Sequence, residues 1–133
     1  MIWVSMAITN RSTGSLDLAR TEIEASFKYM NQSLVMAYEL GNEPNFYAPA
    51  FRPAGWNASD YGHEMESWIP SLRNTSTGDS EWMFGAFAGP PNLFEDGLTI
   101  ANLVELGVPQ KIPGVRYFST HGYPYDICSS MCN

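Results

Sequence analysis

Four short runs of strand-forming residues divide the chain, and their spacing restricts the fold more than any other feature. They are Met1 to Ile8, Leu34 to Leu40, Trp82 to Ala88 and Val115 to Thr120. The first three are almost continuously apolar, the mark of a strand buried on both faces. Helical periodicity fills the intervals. Leu16, Ala19, Ile23, Phe27 and Met30 recur every three or four residues behind Ser15 as N-cap and Asp17 in the first turn. Tyr61, Met65, Trp68, Ile69 and Leu72 form a second stripe, capped by Asn57 or Ser59 and loosened near its end by Pro70. A third helix is expected over Phe94 to Leu106, with Leu98, Ala101, Leu103 and Leu106 inward and Gly107 as its C-terminal cap.

Strands that alternate with helices at this spacing are parallel and joined by right-handed crossovers, so the fold class is α/β. A doubly wound sheet and half of an eight-stranded barrel both satisfy the pattern. A doubly wound nucleotide binder shows a glycine-rich loop after its first strand, and Asn10-Arg11-Ser12-Thr13-Gly14 is not that loop. The polar chemistry follows the second and fourth strands instead, where barrel enzymes place catalysis.

The chain has 133 residues, 44% of them hydrophobic and 14% aromatic, enough for one ordinary domain with a core. Fourteen acids oppose seven bases, for a net charge of −7. No basic cluster is present to neutralise phosphates, which argues against a nucleic-acid partner, and no stretch is long enough to span a bilayer. Cys128 and Cys132 could close a local loop or pair with cysteines elsewhere. Asn-x-Ser sequons at Asn10, Asn31, Asn57 and Asn74 favour a secretory route and extracellular residence. Met1 to Ile8 reads as a strand rather than a signal peptide, since it lacks a basic flank and a small-residue cleavage site. A secreted protein without a leader is expected to continue upstream.

The sharpest chemical feature is Asn42-Glu43-Pro44, directly after the second apolar run and Gly41. Glycoside hydrolysis needs two carboxylic groups at the anomeric carbon, one of which delivers a proton to the leaving oxygen. Glu43 suits that role, because it follows a buried strand and Pro44 favours an extended backbone before it. Asn42 stands ready to bond a sugar hydroxyl. The bland alternative is that Glu43 is a solvated loop acid. The loop from Asn45 to Asn57 carries Phe46, Tyr47, Phe51 and Trp56, and loops of this length in compact domains are usually functional.

Asn-Glu-Pro at a strand end looks like the acid/base signature of clan A retaining glycosidases. The longer string Tyr38 to Tyr47, with Glu39-Leu40-Gly41-Asn42-Glu43-Pro44 inside it, resembles glycoside hydrolase family 79, the family of heparanase and of fungal and bacterial β-glucuronidases. Arg52-Pro53-Ala54-Gly55-Trp56 followed by Tyr61 is similar to the loop and helix after that strand in fungal members. Ser119-Thr120-His121-Gly122-Tyr123 resembles the family's Ser-x-His-x-Tyr at the end of the sixth strand. The resemblance covers most of the chain. It implies a partial (β/α)8 barrel with four parallel strands, three to six, and three intervening helices. The first two strands, the last two and any C-terminal β-domain would lie outside it. It also implies Glu43 as acid/base, Asn42 as a substrate-binding neighbour, and His121 and Tyr123 as pocket residues, with Tyr123 nearer the nucleophile. Tyr47, Trp56 and Phe46 would stack on sugar rings, although by themselves they read as loop packing.

The nucleophile is where the chain departs from this pattern. Clan A places it on a Glu at the end of the seventh strand, and no glutamate besides Glu43 sits at a strand's C-terminal end here. Glu39, four residues earlier on the same side of the strand, reads as a core hydrogen-bonding group rather than a second catalytic carboxylate. The isolated 133 residues are therefore expected to be inactive, and half a barrel with open edges is expected to aggregate or stay molten. His121 and His63 assemble no metal set, and no Ser-based triad or cofactor motif is present. The expected function is a retaining β-glycoside hydrolase acting on glucuronides. Another clan A specificity and a non-catalytic sugar-binding barrel are the alternatives.

Overall fold

The computed structural model describes residues 2–6, 16–73, 80–88 and 98–121; for residues 2–6 and Ala86 it describes the backbone alone. Tyr123, Cys128, Cys132, Asn10, Asn74 and the expected N-cap Ser15 lie outside the described residues. The strands are β1 (Ile2–Met6), β2 (Val35–Leu40), β3 (Trp82–Ala88) and β4 (Val115–His121). They form one parallel sheet in the order β1-β2-β3-β4. Helix α1 (Asp17–Tyr29) precedes β2, α2 (Ala58–Leu72) precedes β3, and α3 (Ile100–Glu105) and α4 (Val108–Lys111) precede β4. The fold is α/β with every strand neighbour in sequence also a neighbour in the sheet.

Side-chain alternation gives the sheet two unlike faces. Tyr38 and Leu40 of β2, Trp82, Phe84 and Phe87 of β3 and Phe118 of β4 pack with Ala19 and Ile23 of α1, Met65, Ile69 and Leu72 of α2, and Leu103 beyond them. Glu39, Ser119 and His121 belong to the opposite, more polar face. Burying large apolar side chains contributes about 1.5–3 kcal/mol each, so the helix-covered face supplies most of the cohesion.

Several local outcomes differ from the periodicity. In α1 the inward position is Ser26, not Phe27, which is 40% exposed. The Ser26 hydroxyl lies 2.7 Å from the Tyr38 hydroxyl, which donates to Gln32 Oε1 at 2.8 Å. A buried phenol needs a partner, and Ser26 supplies one. Helix α3 starts at Ile100, so Leu98 and Thr99 of the expected helix precede it, and Phe94 lies outside the described residues. Thr99 has an extended backbone and its side chain accepts the Asn102 N–H at 3.2 Å, which fixes the N-terminus there. So short a helix turns Leu103 inward and leaves Ala101 and Leu106 exposed, while Leu98 is buried ahead of the cap. Gly107 ends it in the left-handed conformation, as expected, and then opens α4. Pro70 does not end α2, which runs on to Leu72. Trp82 is fully buried and Trp68 packs partly buried against the core; the side chain of Trp3 is outside the described residues.

The two described sequon asparagines both cap helices. Asn31 Oδ1 accepts the Ser33 N–H at 3.1 Å and the Ser33 hydroxyl at 2.9 Å. Asn57 Oδ1 accepts from the N–H groups of Ser59 and Asp60, and Asp60 accepts the Asn57 N–H in return, a complete capping box. Asn57→Ala should destabilise the fold by about 1–2 kcal/mol, read as a shift in urea midpoint at unchanged slope. A midpoint within error of wild type would show that the box carries no stability.

Candidate active site

The candidate site is built where β2 runs out. Gly41 turns the chain at φ +92°, and a Cβ there would sit 2.8 Å from the Tyr47 hydroxyl, so the position admits only glycine. That hydroxyl accepts the Asn42 N–H at 3.0 Å. Glu43 follows in the left-handed region, φ 49° and ψ 55°, and among the described residues it alone does so without being glycine. The extended backbone expected from Pro44 is therefore not adopted. The chain has to turn at once into the 3-10 helix Pro44–Phe46, closed by Phe46 N–H to Glu43 O at 2.9 Å and Tyr47 N–H to Pro44 O at 3.0 Å. A left-handed L-residue costs roughly 1–2 kcal/mol, strain that persists only where surroundings enforce it and that clusters at functional sites.

Two anchors enforce it. Asn45 is buried, and its side chain bonds the backbone of Ala88 twice: Nδ2 donates to the carbonyl at 2.9 Å, and Oδ1 accepts the N–H at 3.0 Å. The turn after β2 is thereby fixed to the last residue of β3. The second anchor is aromatic. Tyr47 stacks on Trp56 (5.8 Å between ring centres, 20° between planes) and meets Phe51 edge-on at 6.4 Å. The Arg52 guanidinium lies 5.5, 5.6 and 5.8 Å from the ring centres of Tyr47, Trp56 and Trp68. It pairs with Glu64 of α2 at 2.7 Å through Nη2 and 3.1 Å through Nε.

Tyr47 and Trp56 are 2% and 8% exposed. They were candidates for stacking on a sugar, but the structure places both in the core beneath the loop. A flat indole buried against a phenol and a guanidinium has no open face to offer. Phe46, directly after Pro44-Asn45, is instead 52% exposed. Asn42 is half-buried beside Glu43, its backbone held by Tyr47.

The structure brings Glu43 and His121 together. His121 Nδ1, at the end of β4, is 2.9 Å from Glu43 Oε1, with the side chains 34% and 22% exposed. One step deeper on the same face, the Ser119 hydroxyl donates to Glu39 Oε1. Glu39 is 6% exposed and is the last residue but one of β2. Between β2 and β4 lies β3, where a Cβ at Gly85 would strike the Ser119 carbonyl and the Phe87 ring. No group of three or more His, Cys, Asp or Glu side chains among the described residues is set to hold a metal ion, and no helix among them is long and apolar enough to cross a membrane. His63 is exposed on α2. Asn45 and Glu64 are not singled out by the sequence, and Ser119 enters only within the Ser-x-His-x-Tyr string. No periodic signal marks them; a lone arginine within an aromatic-rich loop was the available sign of the Arg52 cluster.

The Glu64 carboxyl is pushed above its ordinary value of 4.5, because burial raises it more than the Arg52 hydrogen bonds and charge lower it. The folded chain thus keeps the Glu64 proton to higher pH than the unfolded chain does. The stabilisation from that proton is complete below the unfolded value and is lost as pH rises through the folded value. Glu64→Gln should remove this part of the pH slope of stability. Arg52→Ala leaves a mostly buried carboxylate unpaired and should cost about 3 kcal/mol at neutral pH. Urea denaturation between acid and neutral pH measures both; an Arg52→Ala midpoint equal to wild type would mean the aromatic cluster holds the loop without the ion pair.

No family model matches the chain, and no curated protein matches it.

Proposed function

We propose that this chain carries the acid/base half of a retaining β-glycosidase site, β-glucuronidase-like in substrate, with Glu43 as the proton-transferring group. The observation that carries this reading is the position of one carboxyl. Glu43 sits just past the C-terminal edge of a parallel sheet, in a strained backbone conformation, with its carboxyl against a histidine from another strand end. Its partial exposure leaves room for a leaving-group oxygen to approach. The resemblance of Tyr38 to Tyr47 and of Ser119 to Tyr123 to family 79 supports the same assignment.

The barrel belongs to the proposal too. A doubly wound sheet reverses its strand order at a switch point. Here the order is strictly sequential, and right-handed crossovers in sequential order put all helices on one face and curve the sheet toward closure. The four strands are read as consecutive strands of a (β/α)8 barrel, with the face bearing Glu39, Ser119 and His121 turned to the lumen. Export and glycosylation at Asn31, which is exposed, fit the same reading.

In the first half-reaction the glycosidic C–O bond breaks and its oxygen takes the Glu43 proton, while a carboxylate nucleophile bonds the anomeric carbon. In the second, Glu43 takes a proton from water, whose oxygen displaces the nucleophile. That nucleophile is not Glu39, which is buried and engaged with Ser119. In the complete protein, Glu43→Gln should lower turnover of alkyl glycosides by about 10²–10⁴-fold. Glycosylation by a nitrophenyl glycoside, whose leaving group needs no proton, should fall far less. Equal loss on both substrates would remove Glu43 from the acid role.

A further inference from the structure

We propose that His121 is a positioning residue for proton transfer, donating from Nδ1 to hold the Glu43 carboxyl in one orientation through both half-reactions. This rests on the acid/base reading of Glu43. A general acid works only when its proton lies within hydrogen-bond reach of the oxygen it serves, and displacement by about 1 Å can lower the rate about 10²-fold. A glutamate on a turn does not meet that demand unaided, because its side chain has rotamers to lose. The 2.9 Å contact from His121 Nδ1 to Glu43 Oε1 removes that freedom.

The two groups share one reference point, Ala88. Asn45, two residues beyond Glu43, bonds both the N–H and the carbonyl of Ala88. His121 is the register partner of Ala88 across the β3–β4 ladder. The distance between the carboxyl and the ring is thus set by backbone pairing at the end of β3 rather than by surface side chains. The next carboxylate on this face, Glu39, is engaged by Ser119.

The proton balance assigns His121 no net transfer. When the leaving oxygen takes the Glu43 proton, the carboxylate left behind accepts the Nδ1 hydrogen bond. When water later returns a proton to Glu43, the ring still carries its own.

The test uses the complete protein with His121→Phe, which keeps a ring without a donor, and His121→Asn, which keeps a donor near the place of Nδ1. His121→Ala replaces the Phe variant if the larger ring does not fit, and urea denaturation of each variant reports folding separately. With His121→Phe, kcat on an alkyl glycoside should fall roughly 10- to 100-fold, while glycosylation by a nitrophenyl glycoside should change little. His121→Asn should recover most of the alkyl activity. Equal loss on both substrates in a folded His121→Phe variant, or no recovery with Asn, overturns the positioning role. Glu43→Gln run alongside keeps the two readings apart. If it shows no leaving-group dependence, the acid/base assignment fails; if it does and His121→Phe does not, the failure lies with His121 alone.

Discussion

Two hydrogen bonds between the side chain of Asn45 and the backbone of Ala88 fix the turn that carries Glu43. They are buried, and they join the turn after one strand to the end of the next. A carboxamide matches a peptide unit donor for acceptor, so one side chain satisfies both backbone groups of Ala88 outside any ladder. Without them, the left-handed Glu43 would be free to relax toward the extended backbone that a following proline favours. The strain at Glu43 and the buried amide at Asn45 belong to one device: local backbone cost at Glu43, balanced by satisfied polar groups beside it.

The aromatic cluster under the same loop has a complementary task. Tyr47 links its hydroxyl to the Asn42 N–H and its ring to Trp56, so the turn is held from below as well as from the side. Arg52 binds the cluster to α2 through Glu64. A guanidinium on several ring faces is weakly hydrated and gains from both the π-systems and the carboxylate, which a lysine cannot reproduce. The loop therefore behaves as an extension of the core, although its composition of prolines, glycines and exposed phenylalanines suggests a mobile segment.

Much of the framework was legible in the residues. The apolar runs located the strands, the alternation fixed their parallel arrangement, and Asn57, one of two cap candidates beside Ser59, marked the start of α2. The position of Glu43 at a strand end followed from the same pattern. What remained hidden depended on contacts between residues far apart in sequence. Asn45 reaches Ala88 across 43 positions, and nothing near either residue marks the pairing. Ser26 displaces Phe27 from the core because of a phenol on another element. Tyr47 and Trp56 have the composition of a sugar platform, but burial depends on what packs above a ring, and local sequence does not encode that. The helix boundary at Thr99 went the other way: the cap was in view, and a longer apolar pattern outweighed it.

The polar face of the sheet carries two cross-strand contacts whose different surroundings separate their tasks. Glu39 and Ser119 meet within the strands, where the Glu39 carboxylate is buried and needs a fixed partner. Glu43, in the turn past β2, and His121, the last residue of β4, meet at the edge, where both keep access to solvent. A buried, engaged carboxylate holds strands together; an engaged but accessible one can exchange a proton. A carboxylate beside a polar partner thus occurs twice on one face, and solvent access separates the outer pair from the inner one.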